Sequence, residues 1–277
     1  MEQYDPEVYW SRVAGEIEKR GENYVAGDDN PYFRYKRQRF LKKFLDTIDL
    51  QSKVVLEVGF GPGGNLKRLA EGSKPRQILG ADVSQKMVDI AAANLREYPA
   101  IDLRKIDGVS LPFPDQSVDV SFTATVLHHN TDEGMFRSLV RELCRVTKAS
   151  IVIMEDIGMS ALAGGQGDWI GRRVEVYESA FAVHGFELSQ VQFLNTRISR
   201  AWYHRVFKFY RRFVAPGHRE GDRIGGAFKF LIALPMPLTR VLDNVFADRQ
   251  DLAKLVFRRI ETASGTARAA TASSAGP

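Results

Sequence analysis

The sequence predicts an α/β protein. Its expected core is a seven-stranded, mostly parallel sheet with an antiparallel last strand, carrying an N-terminal helical cover and a helical insert before that strand. Three observations predict this. Short apolar runs alternate with helical stretches between residues 53 and 155, the pattern of a parallel sheet covered on both faces. Two helical stretches with aromatic and basic residues come before the first run. A basic, aromatic segment, 196–250, separates two strand-like segments near the carboxyl end.

The elements follow in order. Val8, Tyr9, Val13 and Ile17 have helical spacing. Asn30-Pro31 supplies an N-cap followed by proline at the first helical position, and Phe33, Phe40, Leu41, Phe44, Leu45 and Ile48 form the apolar side of a second helix. Strands are predicted at 53–58, 77–82, 101–106, 117–122 and 150–154. Helices are predicted at 65–70, from Ser84 to about Tyr98, at 131–146 and at 169–184. Phe186 to Leu194 and Leu252 to Ile260 read as a closing antiparallel hairpin. The expected divisions are a helical cover over 1–50, a sheet domain over 51–195 plus 251–262, an insert over 196–250, and a disordered tail over 263–277 made of Ala, Ser, Thr and Gly.

Composition sets limits. The 277 residues are 44% hydrophobic and 26% charged, as in ordinary globular proteins. A single cysteine, Cys144, forbids an internal disulfide and reads as a small buried residue rather than a nucleophile. The amino-terminal stretch lacks a signal-peptide core, and no window offers the roughly 18 apolar residues of a membrane span, so a cytoplasmic location is expected. The net charge of +5 is mild, with the excess gathered in 34–43 and 197–223.

The chemistry starts at Glu57-Val58-Gly59-Phe60-Gly61-Pro62-Gly63-Gly64. Glycines after a buried strand let a ligand approach the backbone, and the helix behind them offers free N–H groups. By itself this loop fits two cofactors. Gly59, Gly61 and Gly64 also match a dinucleotide-binding spacing, with Asp82 as the ribose acid about 20 residues on, so an NAD-dependent oxidoreductase is an alternative. Glu57 before the glycines, Asp107-Gly108 after the third strand, and the antiparallel ending argue against it.

Residues 53–155 resemble the class I S-adenosylmethionine-dependent methyltransferases, most of all the small-molecule branch that includes the ubiquinone and menaquinone C-methyltransferases. The matching pieces are Leu56 to Gly63, Gly80-Ala81-Asp82-Val83-Ser84, Asp107-Gly108, Leu111 to Asp119, and Val126-Leu127-His128-His129. The resemblance implies a Rossmann-like fold with S-adenosyl-L-methionine as cofactor. Gly59, Gly61 and Gly63 would pass its methionine moiety and Glu57 would lie near the amino group. Asp82 would accept from the ribose hydroxyls. Val83 and Met87 would pack on the adenine, Asp107 and Gly108 would meet its edge, and Thr123 would line the sulfonium. Tyr24, Tyr32, Tyr35 and Arg37 are candidates for closing over the methionine end.

Methyl transfer from a sulfonium is an in-line displacement in which positioning does most of the work, and a base is needed only if the acceptor must lose a proton. Candidate catalytic residues are His128 and His129 after the fourth strand, and Glu155 and Asp156 at the end of the fifth, all at the carboxyl edge where open α/β sheets bind ligands. No metal is expected, because no ligand-spaced motif is present. In the insert, Trp202, Tyr203, Val206, Phe207, Phe209, Tyr210 and Phe213 share one side of a helix, with Arg200, His204, Arg205, Lys208, Arg211 and Arg212 on the other. Such a lid can simply pack on the domain, admit a small or lipid-like acceptor, or rest peripherally on a membrane through 199–240. The lack of an RNA-binding module argues against nucleic acid. A non-catalytic cofactor-binding or membrane-associated module is the second alternative.

Overall fold

The computed structural model describes residues 5–20, 24, 30–158, 169–213, 225–246 and 252–260. The tail at 263–277 and the insert's last residues lie outside them. Two helices come first, α1 (Pro6–Arg20) and α2 (Pro31–Lys43). Asn30 caps α2 as its sequence foretells. Its side-chain oxygen accepts from the Tyr32 and Phe33 N–H groups at 3.0 and 3.1 Å, and Pro31 stands where no N–H is needed.

Five parallel strands follow: β1 (Val54–Val58), β2 (Gln77–Asp82), β3 (Ile101–Lys105), β4 (Val118–Ala124) and β5 (Thr147–Asp156). Helices α3 (Gly64–Gly72), α4 (Gln85–Asn94) and α5 (Glu133–Val146) cover them. Helix α6 (Val174–Ala182) leads to β6 (Phe186–Phe193). The last strand, β7 (Leu252–Arg259), slots between β5 and β6 and runs antiparallel to both, giving the order β3-β2-β1-β4-β5-β7-β6. The expected sheet, including its reversed last strand, is therefore present. Strand order reverses direction between β1 and β4, and the crevice there, at the carboxyl ends, is where such sheets hold ligands.

Strand alternation divides the core. Leu56, Val58, Ile151 and Ile153 face α5 and α6, while Val55, Val120, Phe122, Val152 and Met154 face α2, α3 and α4. One element starts later than expected. The sequence predicts a helix from Trp169, yet α6 begins at Val174. Residues 169–173 are extended because they strap the turn after β4. The Ile170 N–H donates to the His128 carbonyl (2.7 Å), and the Arg172 guanidinium donates to the carbonyls of Leu127 (2.8 Å) and Asn130 (2.7 Å).

The insert contains α7 (Arg197–Tyr210), α8 (Gly226–Ala233) and α9 (Met236–Val245). It packs on α2. Tyr32 stacks on Tyr203 with ring centroids 4.8 Å apart, and the Tyr35 hydroxyl donates to Asp243 (3.1 Å). Asp243, fully buried, also accepts the Ile198 and Ser199 N–H groups at the start of α7. Among the described residues no helix is long and apolar enough to cross a membrane.

Candidate active site

The turn after β1 positions the first group. Gly61 has a φ of +53°, the left-handed region that favours glycine, and the space where its side chain would project is open. Alternation from Val55 turns Glu57 toward the α2 and α3 side, where it is 1% exposed. The Asn65 amide donates to Glu57 Oε1 at 2.6 Å, but Glu57 Oε2 and Asn65 Oδ1 are buried with no partner. Burial drives the Glu57 carboxyl pKa up to about 8, against the pull of Asn65 and the nearby Arg37 guanidinium. A buried acceptor without a donor is costly, and a cationic ligand would supply what is missing.

Asp82 ends β2 and ties two loops together. One oxygen accepts the Gly61 N–H and the other the Ser84 N–H, both at 2.9 Å. Burial raises its pKa to about 6, with those backbone donors opposing. With backbone donors at Gly61, Ser84 and Val83, the carboxylate keeps some accepting capacity, and a sugar hydroxyl is a fitting guest. Val83 follows. A methyl group on Gly108 would sit 3.6 Å from both Val83 and Met135, so these three residues are neighbours.

Other expected ligand contacts look different in place. Asp107 is exposed and turned into its own loop, accepting from the Val109 N–H (2.9 Å), the Ser110 N–H (2.7 Å) and the Ser110 hydroxyl (3.0 Å). These bonds hold its carboxyl below the usual range. Met87 is buried beneath α1, in a cluster with Ala14 and Ile17. The hydroxyl of Thr123, expected beside the sulfonium, is buried and donates to Glu155 (3.2 Å). Of the four candidates for closure, two reach the glycine turn. A methyl group on Gly64 would collide with the Tyr24 carbonyl and come 3.1 Å from the Arg37 guanidinium. Tyr32 and Tyr35 instead bind the insert.

The two consecutive acids at the end of β5 fall on opposite faces, as strand geometry requires. Glu155, with no exposed surface, points toward the turn at 126–129. It accepts from the Thr123 hydroxyl, from the Val126, Leu127 and His128 N–H groups at 3.0–3.2 Å, and from His128 Nδ1 at 2.6 Å. Burial alone would lift the Glu155 pKa, yet His128 and these donors hold it below the usual range. The same pairing lifts His128 against its own burial. His128 and Glu155 thus brace each other and fix the turn.

Asp156 faces α2. Its side chain is 46% exposed, with the Lys36 ammonium 3.8 Å away. Charges on Lys36, His128, Arg200 and His129 outweigh its burial and lower its pKa, so it is ionised at neutral pH. His129 is half-buried, 4.3 Å from the His128 ring and edge-on to Trp10 of α1 at 4.9 Å. Lys36, Arg200 and His129 thus all act electrostatically on Asp156 at the carboxyl edge of the sheet. Among the described residues no group of three His, Cys, Asp or Glu side chains could hold a metal.

Part of the chain is similar to known proteins. Residues 55–150 match a family model described as "Methyltransferase domain". An uncharacterized methyltransferase of Bacillus subtilis, YcgJ, is 34% identical over 96 residues, covering 34% of this chain and 36% of its own. The phthiotriol/phenolphthiotriol dimycocerosates methyltransferase of Mycobacterium tuberculosis is 32% identical over 101 residues, 36% of each chain. The chain spans about a third of the length of these curated relatives. Among solved structures, that of the cyclase SpnF superposes with a TM-score of 0.62 at 20% identity, over 92% of this chain and 94% of that one. The chain carries a methyltransferase domain of the class I S-adenosylmethionine-dependent kind, on a Rossmann-like sheet. Its residues fit that cofactor. Glu57 Oε2 and Asn65 Oδ1, on the residues that flank the glycine turn, are orphaned, and Asp82 stands ready for hydroxyls.

Sequence reasoning missed Asn65, Met135 and Lys36. Asn65 carries a weak signal, a polar residue adjoining the buried Leu66 at the start of α3. Met135 and Lys36 reach the site only through tertiary packing.

Proposed function

We propose that this protein transfers a methyl group from S-adenosylmethionine to a small-molecule or lipid-like acceptor. The observation that carries this reading is the buried, unpartnered oxygen of Glu57 at the glycine turn, at the point where strand order reverses. Glu57 and Asn65 would hold the amino acid end of the cofactor, with Arg37 close by for its carboxylate. Asp82 would hold the ribose, and Val83, Gly108 and Met135 the adenine. When bound, the cofactor supplies an electrophilic methyl group on a sulfonium.

The acceptor would lie between Asp156, His129, Lys36 and Arg200. His129 is the residue best suited to take a proton from it. Its neighbour His128 already shares its Nδ1 with Glu155. Asp156, ionised and flanked by cations, would orient a polar end of the acceptor. Helices α1, α2 and α7, which carry Trp10, Lys36 and Arg200, would border the acceptor, and excluding water there would strengthen electrostatic guidance of the reacting groups. The name of the mycobacterial relative, a dimycocerosates methyltransferase, favours an acceptor with a greasy part, as do the aromatic residues of α7.

Titration with S-adenosylhomocysteine tests the reading. Measurable binding is expected, weakened about a hundredfold in Asp82→Ala through loss of two charge-assisted hydrogen bonds. Absence of binding to the unaltered protein overturns it.

A further inference from the structure

The insert has a face that nothing in the described chain covers. Helices α8 and α9 run almost as one helix, broken only at Leu234-Pro235. One side holds Ile232, Met236, Thr239 and Asp243, all buried against α2 and α7. The other presents Phe230, Leu234, Leu238, Val241 and Val245, each 60–69% exposed. Their spacing of four, four, three and four residues makes a single apolar stripe. Phe209 and Phe213, also exposed, continue it at the end of α7, where both rings lie near Phe228.

The insert is also rich in cations. Arg205 and Lys208 on α7, and Arg211 and Arg212 just past its end, are exposed and interleaved with Phe209 and Phe213. From Arg197 to Phe246 the sequence has ten Lys and Arg against three Asp and Glu, a surplus of seven where the entire chain has a surplus of five. In the described helices of the insert the acid is Asp243, which is buried and occupied. A soluble protein seldom leaves so continuous an apolar patch in water.

We propose that this face docks on an anionic lipid bilayer. The aliphatic stripe would enter the acyl boundary while the arginines and lysines meet the headgroups, as interfacial amphipathic helices do. A second copy of the chain is a poor occupant, since a self-complementary contact would bring two cationic surfaces together. A nucleic acid would use the cations but leave Leu234, Leu238, Val241 and Val245 in water.

The inference does not require the methyl-transfer reading, because vesicle binding is measured without cofactor. The full chain would be sedimented with phosphatidylcholine vesicles, with and without phosphatidylglycerol. Binding is expected only with phosphatidylglycerol, and raised salt should weaken it. Two variants would each lose about tenfold in binding: Leu234→Ser with Leu238→Ser, and Arg205→Glu, Lys208→Glu, Arg211→Glu and Arg212→Glu combined. Both should still bind S-adenosylhomocysteine like the unaltered protein, showing that they fold. Equal binding to both vesicle types, or none, overturns the proposal. So does a concentration-dependent dimer abolished by the serine variant, or binding to a mixed polynucleotide that survives it.

Discussion

Two buried carboxylates at the carboxyl edge of the sheet, Glu57 on β1 and Glu155 on β5, have opposite environments. Glu155 takes five donors from Thr123, the 126–128 turn and the His128 ring, and its pKa falls. Glu57 takes one, from Asn65, leaves an oxygen bare, and its pKa rises to about 8. Burial is common to both, so burial does not mark a ligand site. Burial combined with unmet hydrogen-bonding capacity does. By that measure the glycine turn awaits a guest, whereas the Glu155–His128 pair is already complete and serves as a brace.

The largest test of this contrast is Glu155→Ala. It strips the partners of a buried ionic cluster, which typically costs about 3–5 kcal/mol. In a chain of this size the melting temperature should fall by roughly 10 °C or more, as measured by calorimetry. A melting temperature within a few degrees of the unaltered protein would mean that the brace is not structural.

Glu57→Gln should do the reverse. The folded-state pKa of Glu57 lies above its ordinary 4.5. Its contribution to stability is therefore fully present below about pH 4.5 and is lost as the pH rises to about 8, because the ionised form must stay buried. Glutamine removes that penalty, so the ligand-free variant should melt no lower at pH 8 and above. Affinity for S-adenosylhomocysteine should drop about 10- to 100-fold, the loss of a charged hydrogen bond. In the unaltered protein, affinity should climb with pH toward about 8 as Glu57 ionises. It should then decline at higher pH, where the ligand's amino group loses its proton. Calorimetry in two buffers of different ionisation enthalpy would register the proton released. A flat profile would remove Glu57 from the binding pocket.

The same contrast separates what was legible in the sequence from what was not. Local features were readable: the buried strands, the glycine turn, the Asn30 and Ser84 caps, and Asp82 at a strand end. Each depends on residues a few positions apart. The role of Glu155 depends on donors 27 to 32 residues away, so the chain alone makes Glu155 and Asp156 look alike. Strand alternation could have separated them, since Ile151 and Ile153 share a face with Glu155, and Val152 and Met154 with Asp156. The false helical start at Trp169 has a related cause. Residues 169–173 have helical character in isolation, but the carbonyls at 127, 128 and 130 claim their donors. The insert's fit to α2 rests on Tyr32, Tyr35 and Tyr203, whose aromatic spacing pointed equally well to a cofactor lid.

The smallest expected effect decides between the brace and the pocket for one residue. The resemblance to methyltransferases puts Thr123 beside the sulfonium, while its observed bond to Glu155 makes it part of the brace. Valine has nearly the same shape and lacks only the hydroxyl. Thr123→Val leaves Glu155 four of its five donors, so the cost should be about 1 kcal/mol, and the melting temperature should fall by roughly 2–4 °C. Affinity for S-adenosylhomocysteine should stay within about twofold, since a hydroxyl committed to a carboxylate has nothing to give a ligand. The opposite result, an unchanged melting temperature with clearly weakened binding, would return Thr123 to the cofactor pocket and shrink the brace to Glu155, His128 and the backbone of the turn.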